Sequence, residues 1–161
     1  PDGRGGQAPC ETWDNALLAS EAEAPGGGGT FPLVLSTKRI APGHANTWFI
    51  RVIGTDFSAE FSTRRPKQVR FMSYAPGGEQ AWQELDVPHR SAYGSITGGI
   101  FEFGFSDSIL QMLAAFLDEA VHGPAMIGKF GCATPAEAAA SHRLFTAALE
   151  SQKTGRTVAV D

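Results

Sequence analysis

The residue types that most often carry catalysis or bind metals are sparse in this chain of 161 residues. Cys10 and Cys132 lie far apart and match no metal or redox spacing, and no histidine stands at ligand spacing from a cysteine or a carboxylate. His142 falls on a predicted helix, where a lone histidine is usually structural or at the surface. We therefore expect no metal site and two free thiols in a reducing compartment, with a disulfide as the less favoured alternative.

Two further patterns resemble active-site machinery only in part. The run "PGGGG" at Pro25–Gly29 is not placed between a strand and a helix as a phosphate-binding loop would be, which favours a hairpin tip. An enzyme built on Asp14, His44 and Tyr93 would need a spacing that joins a nucleophile to a base, and none is visible. The sequence predicts no catalytic residue and no cofactor-binding residue within this chain.

Composition excludes several classes of protein. Apolar residues make up 42% of the chain and charged residues 19%, which is typical of a soluble globular protein, and no apolar run approaches the roughly 20 residues of a membrane helix. The net charge is −4, and the only dense basic stretch is Arg64–Lys67, so we expect neither nucleic acid nor membrane as a partner. We expect a cytoplasmic protein with a flexible lead at residues 1–11 and one domain at 12–161, cut from or encoded apart from something longer.

Hydrophobic alternation predicts a series of strands in the first half of the chain. In "TWFIRVIGTDFSAEFST", apolar residues occupy both faces of the first strand but only one face of the second, around a turn at Gly54–Asp56. We expect glycine to supply a positive φ in that turn. Further strands are predicted at Trp13–Ala24, Thr30–Ile40, Lys67–Tyr74 and Gln80–Val87, with a short last strand at Thr157–Val160.

Two helices are predicted in the second half. Apolar residues from Ile109 to Val121 follow the i, i+3, i+4, i+7 rule, which indicates a helix with one buried stripe, begun by Ser106 or Asp107. Thr134–Glu137 has the residues of a capping box with proline at the first helical position, and Gly155 ends the run.

Strands followed by helices indicate the α+β class. We expect a mostly antiparallel open sheet of about six to seven strands, with the helices packed on one face. Helices cover one side only, so the other face, rich in Trp, Phe, Ile and Leu, is expected to form an interface. The sequence leaves open whether its occupant is another domain of the same chain or a second copy in a homodimer or higher oligomer.

Three segments carry a resemblance to a known family. "IRVIGTDFSAEFS", "ILQMLAAFLDEAVHG" and "AALESQKTGRTV", in this order, resemble the C-terminal domain of the Gfo/Idh/MocA family of NAD(P)-dependent oxidoreductases. The resemblance extends over about residues 12–160. Phe57 departs from it, because family members usually carry a glycine at this place in the turn.

The resemblance implies that the catalytic half lies elsewhere. In that family an N-terminal Rossmann domain binds NAD or NADP and supplies a lysine, and the helix joining the domains supplies a histidine. Because this sequence contains none of those motifs, the resemblance carries over no catalytic residue. It implies the substrate-side and oligomerisation domain of an oxidoreductase acting on a sugar- or polyol-like substrate, inactive and without cofactor on its own. The alternative is a non-enzymatic, self-associating β-sheet domain.

The family's fold lets loops at one end of the sheet close over the substrate. The long stretch Pro88–Phe105 has no clean period, and loops of this length are often functional. Polar side chains that suit hydroxyls or a carboxylate are the substrate-binding candidates implied here. They are Lys38, Arg39, His44, His89, Arg90 and Tyr93.

Overall fold

The computed structural model describes residues 3–7, 13–87, 91–128 and 131–160. These residues form strands and helices in two compact units, Pro1–Ala45 with Arg143–Asp161, and Asn46–His142. Antiparallel strands precede the helices along the chain, which confirms the α+β class. Within the described residues, neither helix combines the length and the apolar character that crossing a membrane requires.

The first unit contains a two-stranded antiparallel sheet. Strand β1 is Asn15–Glu23 and strand β2 is Thr30–Lys38, paired along their whole length from Glu23 opposite Thr30 to Asn15 opposite Lys38. The glycine run forms the tip between them, closed by a hydrogen bond of 2.8 Å from the Ala24 N–H to the Gly29 carbonyl. Gly26, Gly27 and Gly29 have φ values of 82°, 77° and 106°, which only glycine adopts readily, so the predicted hairpin tip is confirmed.

The second unit contains a four-stranded antiparallel meander. Its strands are β3 (Phe49–Ile53), β4 (Phe57–Ser62), β5 (Gln68–Ser73) and β6 (Gln83–Asp86), in spatial order β3-β4-β5-β6. Each strand pairs with its neighbour in the chain, so the sheet needs only short turns and no crossover. The predicted hairpin between β3 and β4 is confirmed.

The turn between β3 and β4 uses its glycine differently from the prediction. Gly54 does not have a positive φ. Its N–H donates to the Phe57 carbonyl at 2.9 Å, and a Cβ at position 54 would lie 2.8 Å from that same oxygen. Gly54 is therefore needed for the close approach of two backbone segments, and the expectation of a positive φ was wrong.

Helix α1 spans Phe105–His122 and is followed by a 3-10 turn at Gly123–Ala125. At its start the Asp107 carboxylate accepts the Gly104 N–H at 2.8 Å. Helix α2 spans Pro135–Thr154 and begins with the predicted capping box, in which Thr134 Oγ1 accepts the Glu137 N–H at 3.2 Å and Glu137 Oε2 accepts the Thr134 N–H at 2.7 Å.

The layered packing predicted from the sequence is not observed. The strands form a two-stranded and a four-stranded sheet rather than one open sheet, and residues 157–160 form no strand. Within each unit, no helix of the described chain packs along a strand, and no described apolar side chain is fully buried. The stripe on α1 stays exposed, with Phe116 at 57% and Val121 at 73%. The hydrophobic periodicity of a helix or strand predicts which of its side chains are suited to burial, but the surface that buries them belongs to another part of the protein.

Candidate functional site

One face of the four-stranded sheet is almost entirely apolar. Alternation along each strand and the cross-strand register place on it Ile50, Val52, Phe57, Ala59, Phe61, Val69, Phe71 and Leu85. Phe57 and Phe71 stack with ring centroids 5.9 Å apart, as diagonal neighbours on one face do. Ile50 and Val52 are each 60% exposed and Leu85 is 54% exposed. These eight side chains are the apolar face.

The opposite face carries a row of alternating charges, one from each strand. Arg51 lies opposite Glu60, Glu60 opposite Arg70, and Arg70 opposite Glu84; these four residues are the charged row. Arg51 donates to Glu60 Oε2 through Nε at 3.0 Å and through a terminal nitrogen at 2.8 Å, and Arg70 donates to Glu60 Oε1. Opposite charges directly across strands stabilise a sheet and fix its register.

Glu60 is the centre of the charged row. It is only 9% exposed, yet both of its carboxylate oxygens have an arginine partner. Hydrogen bonding from Arg51 is the largest effect, and together with the charges and hydrogen bond of the two arginines it outweighs burial, so the pKa of the Glu60 carboxyl is lowered. The Glu60 carboxylate is thus paired within the row, although Arg70 Nε is buried without a hydrogen-bond partner and lies 3.6 Å from Glu84 Oε1. The centre of this face therefore offers no unpaired carboxylate to a partner, whereas the apolar face offers exposed hydrophobic side chains.

A second polar centre forms around Asp118 on α1, which is 8% exposed. Its carboxylate accepts the Tyr93 hydroxyl at 2.8 Å, the Ile127 N–H at 2.7 Å and the Gly128 N–H at 3.4 Å. His122, one turn further along the helix, contacts the other carboxylate oxygen through Nδ1 at 2.7 Å. One side chain thereby ties the segments on both sides of α1 to the helix.

The protonation states in this Asp118 cluster follow from its contacts. Burial raises the pKa of the Asp118 carboxyl, but the hydrogen bonds from His122, Tyr93 and the two amides outweigh it and hold that pKa at about 2. Burial and the hydrogen bond to Asp118 raise the pKa of the Tyr93 phenol. At neutral pH the Asp118 carboxylate is charged and the Tyr93 phenol donates a hydrogen bond to it. This arrangement suits a structural role in which Asp118 holds two loops against the helix.

The predicted substrate-binding residues that the structure describes are divided between the two units. Lys38 ends β2, and Arg39 after it forms an ion pair of 3.5 Å with Asp14, while the His44 N–H closes a turn onto the Ala41 carbonyl. These residues belong to the first unit. Tyr93 belongs to the second unit, where its hydroxyl is engaged by Asp118. His89 and Arg90 lie outside the described residues.

Sequence reasoning missed Asp118 and Glu60, and it named Tyr93 without its contact to Asp118. Glu60 could have been found, because the predicted hairpin places it opposite Arg51 and the next strand brings Arg70 to its other side. Asp118 had no such signal, since its donors come from irregular segments on both sides of the helix.

Among the described residues, no group of three or more His, Cys, Asp or Glu side chains is arranged to hold a metal ion. Cys132, the cysteine within that part of the chain, is not in a disulfide. Comparison with family models, with curated proteins and with solved structures found no match to this chain.

Proposed function

We propose that this chain is the substrate-side and association domain of an NAD(P)-dependent oxidoreductase acting on a sugar- or polyol-like substrate. The observation that carries the association part is the uncovered apolar face of the four-stranded sheet. Burying one of its large side chains would contribute on the order of 1.5–3 kcal/mol gross. Four of them on one ordered surface are exposed, namely Ile50, Val52, Phe57 and Leu85, which favours a partner. The charged row makes the opposite face the poorer candidate.

The oxidoreductase part rests on the resemblance of three sequence segments to the C-terminal domain of the Gfo/Idh/MocA family. In a protein of that type, a Rossmann domain supplies the cofactor site and this domain shapes the substrate pocket and the subunit contact. The confirmed hairpin at Gly54 lies in the first of these segments, and the third begins within helix α2, whose capping box at Thr134 is confirmed. A non-enzymatic domain that only self-associates is the second candidate, favoured by the same apolar face.

Association through the apolar face is tested with two neighbouring residues on opposite faces of β3. Val52→Asp places a charge on the apolar face, and Ile53→Asp places the same charge on the other face at a residue that is already 75% exposed. Sedimentation velocity should show association of the unmodified chain, its loss in Val52→Asp, and its retention in Ile53→Asp. A monomeric unmodified chain at the highest soluble concentration would contradict the self-association expected of both candidates.

The two candidates are separated by ligand binding. For an oxidoreductase domain we expect calorimetry to detect no binding of NADH or NADPH, because the cofactor site belongs to the other domain, while NMR detects weak binding of glucose or sorbitol near Lys38, Arg39 and His44. Polyol binding that Arg39→Ala abolishes would support the substrate role. Its complete absence at high millimolar concentration would leave self-association as the better description, and micromolar NADH binding would refute both.

A further inference from the structure

Two open depressions meet beside the turn between β4 and β5, and both are lined by Pro66 and Phe103. One has a volume of about 420 Å³ and an aromatic lining. The other has a volume of about 830 Å³ and a lining dominated by charged and amide side chains. Both volumes are within the range of small-molecule sites.

The aromatic depression offers an ordered apolar surface with no free hydroxyl. Its rings are those of Trp48, Phe49, Phe61, Phe103 and Phe105. The two hydroxyls beside them are already used, because Thr63 Oγ1 accepts the Trp48 N–H at 2.9 Å and Ser108 Oγ donates to the Gly104 carbonyl at 3.4 Å. This lining suits a flat or extended hydrocarbon body and suits a sugar poorly.

The charged depression contains two cationic side chains, and each of them pairs with a carboxylate of the same chain. Arg65 donates to Glu84 at 2.9 Å, and Lys67 contacts Glu102. The Glu102 side chain is 78% exposed and that of Lys67 36% exposed. An ion pair this exposed contributes little to stability, so another carboxylate exchanges with Glu102 at small cost.

The partner of Lys67 is followed directly in the chain by an aromatic residue. Glu102 reaches Lys67 while Phe103 lines both depressions and is half-buried, in contrast to Phe101, which is 71% exposed. The segment Glu102–Phe103 therefore presents a carboxylate and a ring, side by side, to a cation and an aromatic surface. The carboxylate and the ring of this segment therefore indicate the kind of ligand that the site accepts.

We propose that the paired depressions bind an organic anion in which a carboxylate is attached to an aromatic or alkyl body. Its carboxylate replaces that of Glu102 on Lys67, and its body lies against Trp48, Phe61 and Phe105. The site is separate from the proposed substrate role, because Tyr93, the described substrate candidate of the same unit, lines neither depression.

The test is an NMR titration of the ¹⁵N-labelled chain with naphthalene-2-carboxylate, compared with the neutral naphthalene-2-carboxamide. The carboxylate should shift the Trp48 indole and the Thr63 and Ser108 amides saturably, and the carboxamide should bind at least threefold more weakly. Lys67→Met should weaken carboxylate binding about 1.5- to fivefold, the range of one exposed ion pair, and Glu102→Gln should strengthen it by a similar factor. Lys153→Met, at an exposed lysine in the last turn of α2, should leave it unchanged.

Three results would overturn the proposal. The first is equal binding of carboxylate and carboxamide, and the second is an unchanged affinity in Lys67→Met. The third is an affinity that falls steadily as protein concentration rises, since a second copy of the chain would then be the occupant of the aromatic depression. The first two results concern Lys67 and are independent of the sedimentation test of Val52→Asp. The third concerns Ile50 and Phe61, which line the aromatic depression and also belong to the apolar face.

Discussion

Asp118 accepts hydrogen bonds from the Tyr93 hydroxyl and from the Ile127 and Gly128 amides. Its removal leaves the Tyr93 hydroxyl and the Ile127 amide without their charged partner, and it frees the segments on both sides of α1. Hydrogen bonds to a buried charged group are stronger than neutral ones, and an unsatisfied buried donor is costly. This residue is therefore where a single substitution should loosen the second unit most.

Stability should depend on pH through Asp118 in a defined window. Its pKa is about 2 in the folded chain against an ordinary value of 3.8, so its stabilising contribution is present above pH 3.8 and is lost as pH falls towards 2. We expect Asp118→Asn to lower Tm by several degrees at pH 7 and the difference from the unmodified chain to shrink between pH 4 and 2. Thermal unfolding of both proteins across this range measures it.

Asp86→Asn, at an exposed carboxylate that ends β6, is the matched control and should change Tm little at any pH. A difference between Asp118→Asn and the unmodified chain that stays constant down to pH 2 would contradict the role of the charged carboxylate.

Among the elements, the β3–β4 hairpin depends on the absence of one side chain. A Cβ at position 54 would lie 2.8 Å from the Phe57 carbonyl, closer than real Cβ contacts come, and backbone atoms cannot move away cheaply. Gly54→Ala should destabilise the chain by about 1–3 kcal/mol, as overpacking does. Urea denaturation measures the change in the free energy of unfolding.

Gly28→Ala is the matched control for the hairpin, because no atom lies within 4 Å of a Cβ at position 28 and its φ is not positive. It should be neutral or slightly stabilising, since alanine restricts the unfolded chain. Equal effects of the two substitutions would show that the close approach at Gly54 does not matter.

The capping box of α2 is the second element with a measurable local contribution. Hydrogen bonds from the Thr134 N–H and hydroxyl lower the pKa of the Glu137 carboxyl, so the box is charged at neutral pH. Thr134→Ala should cost about 0.5–2 kcal/mol of unfolding free energy. Thr154→Ala, at the other end of the same helix, should cost less, and the reverse order would rule out a capping role for Thr134.

For the whole molecule, the decisive fact is that no described apolar side chain is fully buried while the apolar face is ordered. A chain in this state gains stability when a partner covers that face, and binding to the folded state raises Tm with concentration. We expect Tm to rise over a hundredfold range of protein concentration, measured by differential scanning fluorimetry. Val52→Asp should abolish this dependence and Ile53→Asp should retain it; a Tm independent of concentration in the unmodified chain would contradict self-association.

Much of the secondary structure was set by the sequence alone. The alternation around Gly54, the glycine run before Thr30 and the capping box at Thr134 each predicted an element that the structure contains, because strand alternation, turn conformation and helix capping depend on residues a few positions apart. The same reasoning could have predicted the charged row, since the cross-strand pairs that form it follow from the register of the four-stranded meander.

Only the tertiary structure decided how the elements combine. In it the strands form two sheets and the stripe on α1 stays exposed. The Tyr93 hydroxyl donates a hydrogen bond to Asp118, although the sequence placed Tyr93 in a substrate-binding loop. Such outcomes depend on contacts between residues distant in the chain, whose free energies are set by the surfaces that meet and not by the residue pattern of either one.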